Sequence, residues 1–139
     1  MSRKTAQREA IQRAFEYEDR PLRPEEILFI GRQWVDSLNQ ATVYRGITLL
    51  LEQGWLKKVE HPGASAAYER ANKPHHHHFL CRLCARLLDI PGECQFHHDH
   101  ALPEGFLGET HEILVHGVCA NCSQSKAEKS ARLRGNRGM

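Results

Sequence analysis

Residues 37–54 read Ser37-Leu-Asn-Gln-Ala-Thr-Val-Tyr-Arg-Gly-Ile-Thr-Leu-Leu-Leu-Glu-Gln-Gly54, and the fold of the front half of the chain turns on them. Ser37 followed by Gln40 has the spacing of a capping box, in which two side chains satisfy each other's backbone N–H groups at a helix start. Val43, Ile47, Leu50 and Leu51 then recur at helical spacing, and Gly54 supplies the stop. Gln40, Tyr44, Arg45 and Thr48 lie away from that apolar stripe. Upstream, Thr5–Tyr17 repeats the helical pattern through Ala6, Ala10, Ile11, Ala14 and Phe15, and Arg20-Pro21-Leu22-Arg23 breaks it. Pro24 suits a first helical position, Glu25 and Glu26 favour its positive end, and Ile27, Leu28 and Ile30 give it a core face up to Gly31. Downstream, Trp55–Glu60 and Ala66–Arg70 pair as strands around His61-Pro-Gly-Ala-Ser65. Three helices and a hairpin outline a winged helix, whose third helix enters the major groove of DNA. Pattern alone also allows Tyr44 and Arg45 to be ordinary surface residues of a small helical bundle.

The back half carries the metal chemistry. Pro74-His-His-His-His-Phe-Leu-Cys-Arg-Leu-Cys84 runs four histidines into a C-x-x-C pair, and Cys119-x-x-Cys122 follows. Two residues between thiols let one tight turn present both sulfurs to one ion, and two such turns complete the closed tetrahedral site that zinc prefers. Cys81, Cys84, Cys119 and Cys122 are therefore expected to hold a structural Zn2+ that stabilises the fold and leaves no open position for catalysis. In an extended chain successive side chains face opposite ways. His75 and His77 then point to one side, His76 and His78 to the other, so one segment feeds two separate sites. Phe79–Cys84, Arg86–Ile90 and Glu112–Val118 read as strands, and Glu93–Leu102 as a short His-rich helix.

Ala41-Thr42-Val43-Tyr44-Arg45, then Leu50-Leu51-Glu52-Gln53-Gly54, the histidine run and the two C-x-x-C pairs, in that order, resemble the ferric uptake regulator family. The resemblance extends from about Thr5 to Cys122. It implies an α+β protein: an N-terminal winged-helix DNA-binding domain at 1–72, then a small α/β dimerisation domain at 73–122. It further implies a metal-responsive transcriptional repressor controlling metal-ion homeostasis genes, acting as a homodimer on double-stranded operator DNA. Tyr44 and Arg45 would face bases, with Gln40 and Thr42 on the same helix, and Arg3 and Lys4 would reach the flanking backbone. Carried over position by position, Glu69, His76, His78 and Asp89 would form a regulatory metal site beside the winged helix. Iron-type members often add a histidine just before the second helix. Here Arg20-Pro21 stands there, and His61 of the hairpin is the substitute candidate. His75, His77 and His111 would form a second regulatory site. Its usual carboxylate comes from the helix after Asp89, and here Glu93, His97 or Cys94 is the candidate fourth ligand. The imidazole-rich run with Cys94 favours Zn2+ as the regulatory divalent metal, with Fe2+ the alternative and a peroxide-sensing role open.

Charge divides the chain in the same way. Residues 1–73 hold 12 Lys+Arg against 10 Asp+Glu, residues 74–122 hold 2 against 6, and residues 123–139 hold 5 against 1. All ten histidines lie after residue 60 and all five cysteines after residue 80. The last seventeen residues read as a basic, disordered tail, with a helical start possible around Ser125–Leu133. The longest apolar clusters, Ile27–Ile30 and Ile47–Leu51, fall far short of the roughly 20 residues that span a bilayer. The N-terminus shows no apolar segment of a secretory signal, so a cytoplasmic location, no membrane and metal-bound thiols in place of disulfides are expected. An enzyme is not expected: H-E-x-x-H and the deaminase pattern H-x-E with P-C-x-x-C are absent, and no small-molecule substrate is implied. A zinc-ribbon interaction module without DNA binding is the rival of a different class.

Overall fold

The computed structural model describes residues 2–94, 96 and 101–124. Helix α1 (Arg3–Tyr17) starts where the Ser2 hydroxyl accepts the Thr5 backbone N–H at 3.1 Å. Helices α2 (Pro24–Gly31) and α3 (Gln40–Glu52) pack on it through a core that includes Ile11, Phe15, Leu22, Ile27, Val43 and Leu50. Gly46 permits the α1–α3 approach, since a Cβ there would stand 2.4 Å from Ile11 Cδ1. At the far end of α3, Gly54 takes φ +74°, the left-handed turn that ends a helix.

The start of α3 departs from the capping box expected at Ser37. Asn39 is the cap: its Oδ1 accepts the Thr42 N–H at 2.9 Å, and the helix begins at Gln40. Leu38, between the two candidates, is fully buried in the core from the non-helical segment before the cap. Asn39→Ala should therefore cost about 1 kcal/mol, while Ser37→Ala should stay within about 0.5 kcal/mol of zero. Urea unfolding followed by helical circular dichroism checks both values.

Strands β1 (Leu56–Val59) and β2 (Ala67–Arg70) form an antiparallel hairpin with Lys57 opposite Glu69. Two backbone bonds between Leu22 and Tyr68 (2.8 and 2.9 Å) lay the α1–α2 connection along its edge. A second sheet has the order β4-β3-β5, built from β3 (His77–Cys81), β4 (Leu87–Ile90) and β5 (Leu114–Gly117). β4 runs antiparallel to β3 with Asp89 opposite His78, and β5 runs parallel to it. β3 is shifted against the expected strand: it takes in His77 and His78 and stops at Cys81, because Cys81–Cys84 is a turn closed by Ala85 at φ +62°. Half of the helix expected over 93–102 (residues 95 and 97–100) lies outside the described set, as do the tail from Ser125 onward and its suggested helical start, while Glu93 and Cys94 are not helical.

The two sheets share a small core of Val59, Ala67, Leu80 and Leu87, with Leu114 packed against it. Arg20 ties the halves from the other side. Its guanidinium is buried, pairs with Glu18 and Glu26, and donates to the Leu87 carbonyl at 3.3 Å. Burial works against the charge on Arg20, but those two carboxylates outweigh it and leave its pKa raised. No described helix is long and apolar enough to cross a membrane.

Candidate metal centres

Among the described residues, three groups of four potential ligand atoms each lie within 4.8 Å of one another. The first is Cys81, Cys84, Cys119 and Cys122. Cys81 closes β3, Cys84 ends the following turn, and the other two come just after β5. All five cysteines of the chain are free thiols, and Cys84 Sγ to Cys119 Sγ is 3.9 Å. That separation is close to the ~3.8 Å edge of a tetrahedron with zinc–sulfur bonds of about 2.3 Å. Cys81 is fully buried, which pushes its thiol up. The backbone N–H groups of Cys119 (3.3 Å) and Cys84 (3.5 Å) outweigh this and bring it down to about 6. The neighbouring Cys119 pushes Cys122 up to about 12.

The second group is Glu69, His76, His78 and Asp89. Glu69 sits on β2, His78 on β3, Asp89 on β4, and His76 just ahead of β3. Glu69 Oε2 lies 2.9 Å from His76 Nε2 and 3.1 Å from His78 Nε2, which are themselves 3.1 Å apart. Asp89 Oδ1 stands 3.6 Å from both rings and has no hydrogen-bond partner although buried. Tautomers decide what this arrangement wants. His76 Nδ1 is 2.8 Å from the Pro74 carbonyl, which can only accept, so Nδ1 carries a proton. In the neutral ring Nε2 is then a bare lone pair aimed at the Glu69 carboxylate. Two acceptors at 2.9 Å repel unless a proton or a cation lies between them. The residues therefore fit a divalent ion. Burial pushes the Glu69 carboxyl up; in acid, with protons on both imidazoles, His78 and His76 prevail and hold it down at about 2.

Lysines surround this pocket. Lys73 pairs with Asp89 Oδ2 and, at 3.1 Å, with Asp19 Oδ1. Lys57 Nζ approaches Glu69 Oε1 to 3.3 Å, yet that oxygen has no hydrogen bond of acceptable angle. The contact is Coulombic only, and water around the half-exposed ammonium weakens it. His61 is not one of the four. Its Nε2 lies 2.9 Å from His78 Nδ1, behind the ring, where it orients His78. Sequence spacing brings His61 to the right neighbourhood, where it lines one pocket with Glu69, His76 and His78.

The third group is His75, His77, Cys94 and His111. The three Nε2 atoms are 3.1 Å (His75–His77), 3.2 Å (His75–His111) and 3.1 Å (His77–His111) apart. Cys94 Sγ is 3.1 Å from both His77 Nε2 and His111 Nε2. Burial, followed by the neighbouring His75 and His111, lowers the pKa of His77. Of the candidate fourth ligands, Cys94 is the one in this group; Glu93 is not part of it and His97 lies outside the described residues. The histidine run thus divides by alternate residues between two clusters.

Tyr44 and Arg45 are exposed on α3, as is Gln40 at its first turn. Arg45 donates to the Thr42 hydroxyl at 3.3 Å. Thr42 itself is buried, so it holds Arg45 in place and offers little surface of its own. Lys4 and Arg8 of α1 line a cleft with Thr42 and Arg45, and Arg3 is exposed one residue earlier.

Comparison with known proteins agrees over most of the chain. The profile of the ferric uptake regulator family matches residues 2–116. The ferric uptake regulation protein of Campylobacter jejuni is 32% identical over 129 residues, which is 89% of this chain and 82% of that protein. The zinc uptake regulation protein of Escherichia coli is 29% identical over 129 residues, 90% of this chain and 75% of that protein. A solved structure of a zinc-bound manganese uptake regulator shares the fold with a TM-score of 0.69 at 22% identity, covering 86% of this chain and 89% of that one. The chain belongs to the ferric uptake regulator family of metal-responsive transcription regulators.

Proposed function

We propose that this protein is a zinc-responsive repressor of metal-homeostasis genes, acting as a homodimer on operator DNA. Residues 1–72 form its DNA-binding unit and residues 73–122 its metal-binding dimerisation unit. The four-cysteine cluster holds a structural Zn2+, Glu69, His76, His78 and Asp89 hold the regulatory ion, and His75, His77 and His111 belong to a second site. The observation that carries the reading is the bare His76 Nε2 facing the buried Glu69 carboxylate. These two residues stand on opposite sides of the junction at 71–74, one on the hairpin and one ahead of β3. An ion there supplies the positive charge that lets both acceptors stay buried together.

With Glu69 fixed against His76, His78 and Asp89, the hairpin and helices keep one angle to the second sheet. In a dimer that angle sets the separation of the two α3 helices, which must match half-sites about 34 Å apart or a multiple of that. Tyr44, Arg45 and Gln40 reach bases, and Arg3 and Lys4 reach phosphates. The coupling is reciprocal and of the order of ~1–3 kcal/mol. Ferrous iron is the second reading, favoured by the two carboxylates beside two imidazoles in the regulatory group.

The test is binding to a DNA fragment selected from a random pool, followed by fluorescence anisotropy, with a chelator too weak to strip the four-cysteine ion. Restoring metal should tighten binding about 5–150-fold. Parallel titrations of zinc and ferrous iron under reducing, anaerobic conditions decide which ion does so. Equal affinity with and without every metal would end the proposal.

A further inference from the structure

We propose that His75, His77, Cys94 and His111 form a mixed site of three imidazoles and one thiolate, selective for Zn2+ and Co2+ over Fe2+ and Mn2+. The proposal rests on reading this cluster as a metal site and adds its fourth ligand and its chemical class. Hydrogen bonding among the rings does not account for the cluster. A ring nitrogen is either a donor or an acceptor, so of the three mutual Nε2 contacts at 3.1–3.2 Å no more than two can be hydrogen bonds. The remaining contact sets like against like. A cation at the centre removes that conflict for all three at once.

Cys94 supplies the distinguishing chemistry. Its sulfur is 3.1 Å from two of the three nitrogens and accepts the Phe96 backbone N–H at 3.4 Å. The Phe96 ring lies 4.7 Å from the His111 ring and partly covers the cluster. Among the described residues, no carboxylate belongs to the group. Hard cations choose oxygen ligands and ferrous sites commonly carry a carboxylate, whereas a thiolate with imidazoles suits zinc. Coordination through His77 Nε2 places the ring proton on Nδ1, where the Ile113 amide now donates at 3.2 Å. Loading therefore displaces that amide and releases the Cys94 thiol proton to solvent. The alternation that splits the histidine run thus separates a sulfur-bearing centre from the oxygen-bearing one.

The experiment uses the full-length protein with zinc retained in the four-cysteine cluster, titrated with Co2+ alone. A near-ultraviolet thiolate-to-cobalt band should appear, persist in a His76→Ala/His78→Ala variant, and vanish in Cys94→Ser. Zinc affinity at this site should fall in Cys94→Ser by more than the ~10–100-fold typical of losing an outer-sphere partner. Mass-spectrometric alkylation of the wild type gives a measure free of folding artefacts: zinc should protect Cys94, and manganese should not. If His75→Ala loses the metal and Cys94→Ser keeps it at unchanged affinity, the cluster is a metal site and the thiolate proposal is overturned. If neither substitution alters metal content, the reading of the cluster as a site fails as well. Equal protection of Cys94 by manganese overturns the selectivity.

Discussion

Cys81→Ser should abolish the structural zinc and unfold the three-stranded sheet while α1, α2 and α3 keep their helical signal. Cys81 is buried, ends the central strand β3 and takes backbone N–H bonds from both sides of its cluster. The cluster joins the β3–β4 turn to the chain after β5, and β5 otherwise adds a short parallel pairing to β3. The second core is also small, with four buried residues around which two sheets meet. Structural zinc sites carry apparent binding free energies of about 10–16 kcal/mol at neutral pH, as large as the ~5–15 kcal/mol stability of a whole domain. Serine keeps the volume and loses the thiolate, so the loss is of the ion and not of packing. Elemental analysis should find one zinc fewer per protomer, and hydrogen exchange in β3–β5 should collapse to the unfolded rate. Full zinc content with protected strands would refute the assignment.

Glu69→Gln should make operator binding insensitive to metal, removing the whole 5–150-fold enhancement expected of about 1–3 kcal/mol of coupling. Glutamine is nearly isosteric and still hydrogen-bonds, so the hairpin register with Lys57 opposite residue 69 should survive. What disappears is the buried negative charge facing His76 and His78. The same variant has a signature in acid. The Glu69 carboxyl is held near 2 against an ordinary 4.5, a depressed value. Its contribution to stability is present above pH 4.5 and drains away as pH falls through 2. Glu69→Gln should flatten that part of the pH–stability curve. Anisotropy titrations with and without metal, together with acid unfolding of the chelated protein, measure the two effects separately.

The helical half was legible because each element carries its own local signals: periodicity, Pro24 at a helix start, Gly54 at a helix end. The one local error, Ser37 for Asn39, came from two cap-forming residues in close succession. Leu38 between them is buried in the core, a tertiary fact that local pattern does not carry. The clusters were legible for a different reason. Consecutive histidines on extended backbone must alternate, so the partition of His75 and His77 from His76 and His78 follows from geometry that needs no partner. What each cluster draws from elsewhere is set by packing between distant segments. Cys94 beside His111, His61 behind His78, and the Lys73 bridge between Asp19 and Asp89 all lie across such contacts.

The strand β3 carries one more implication, for how securely the histidines are assigned to their clusters. A slip of one residue in a β-strand exchanges its two faces. In most sequences the slip is penalised at every position. In a run of four identical side chains it is penalised less, since three of the four histidines move into the place of another. The run is degenerate with respect to register and cannot lock itself. The lock is downstream, in Leu80 within the shared core and Cys81 within the thiol cluster. The sulfur staple therefore acts as the frame marker for the imidazoles, and weakening it should exchange histidines between the two clusters while displacing one of the four.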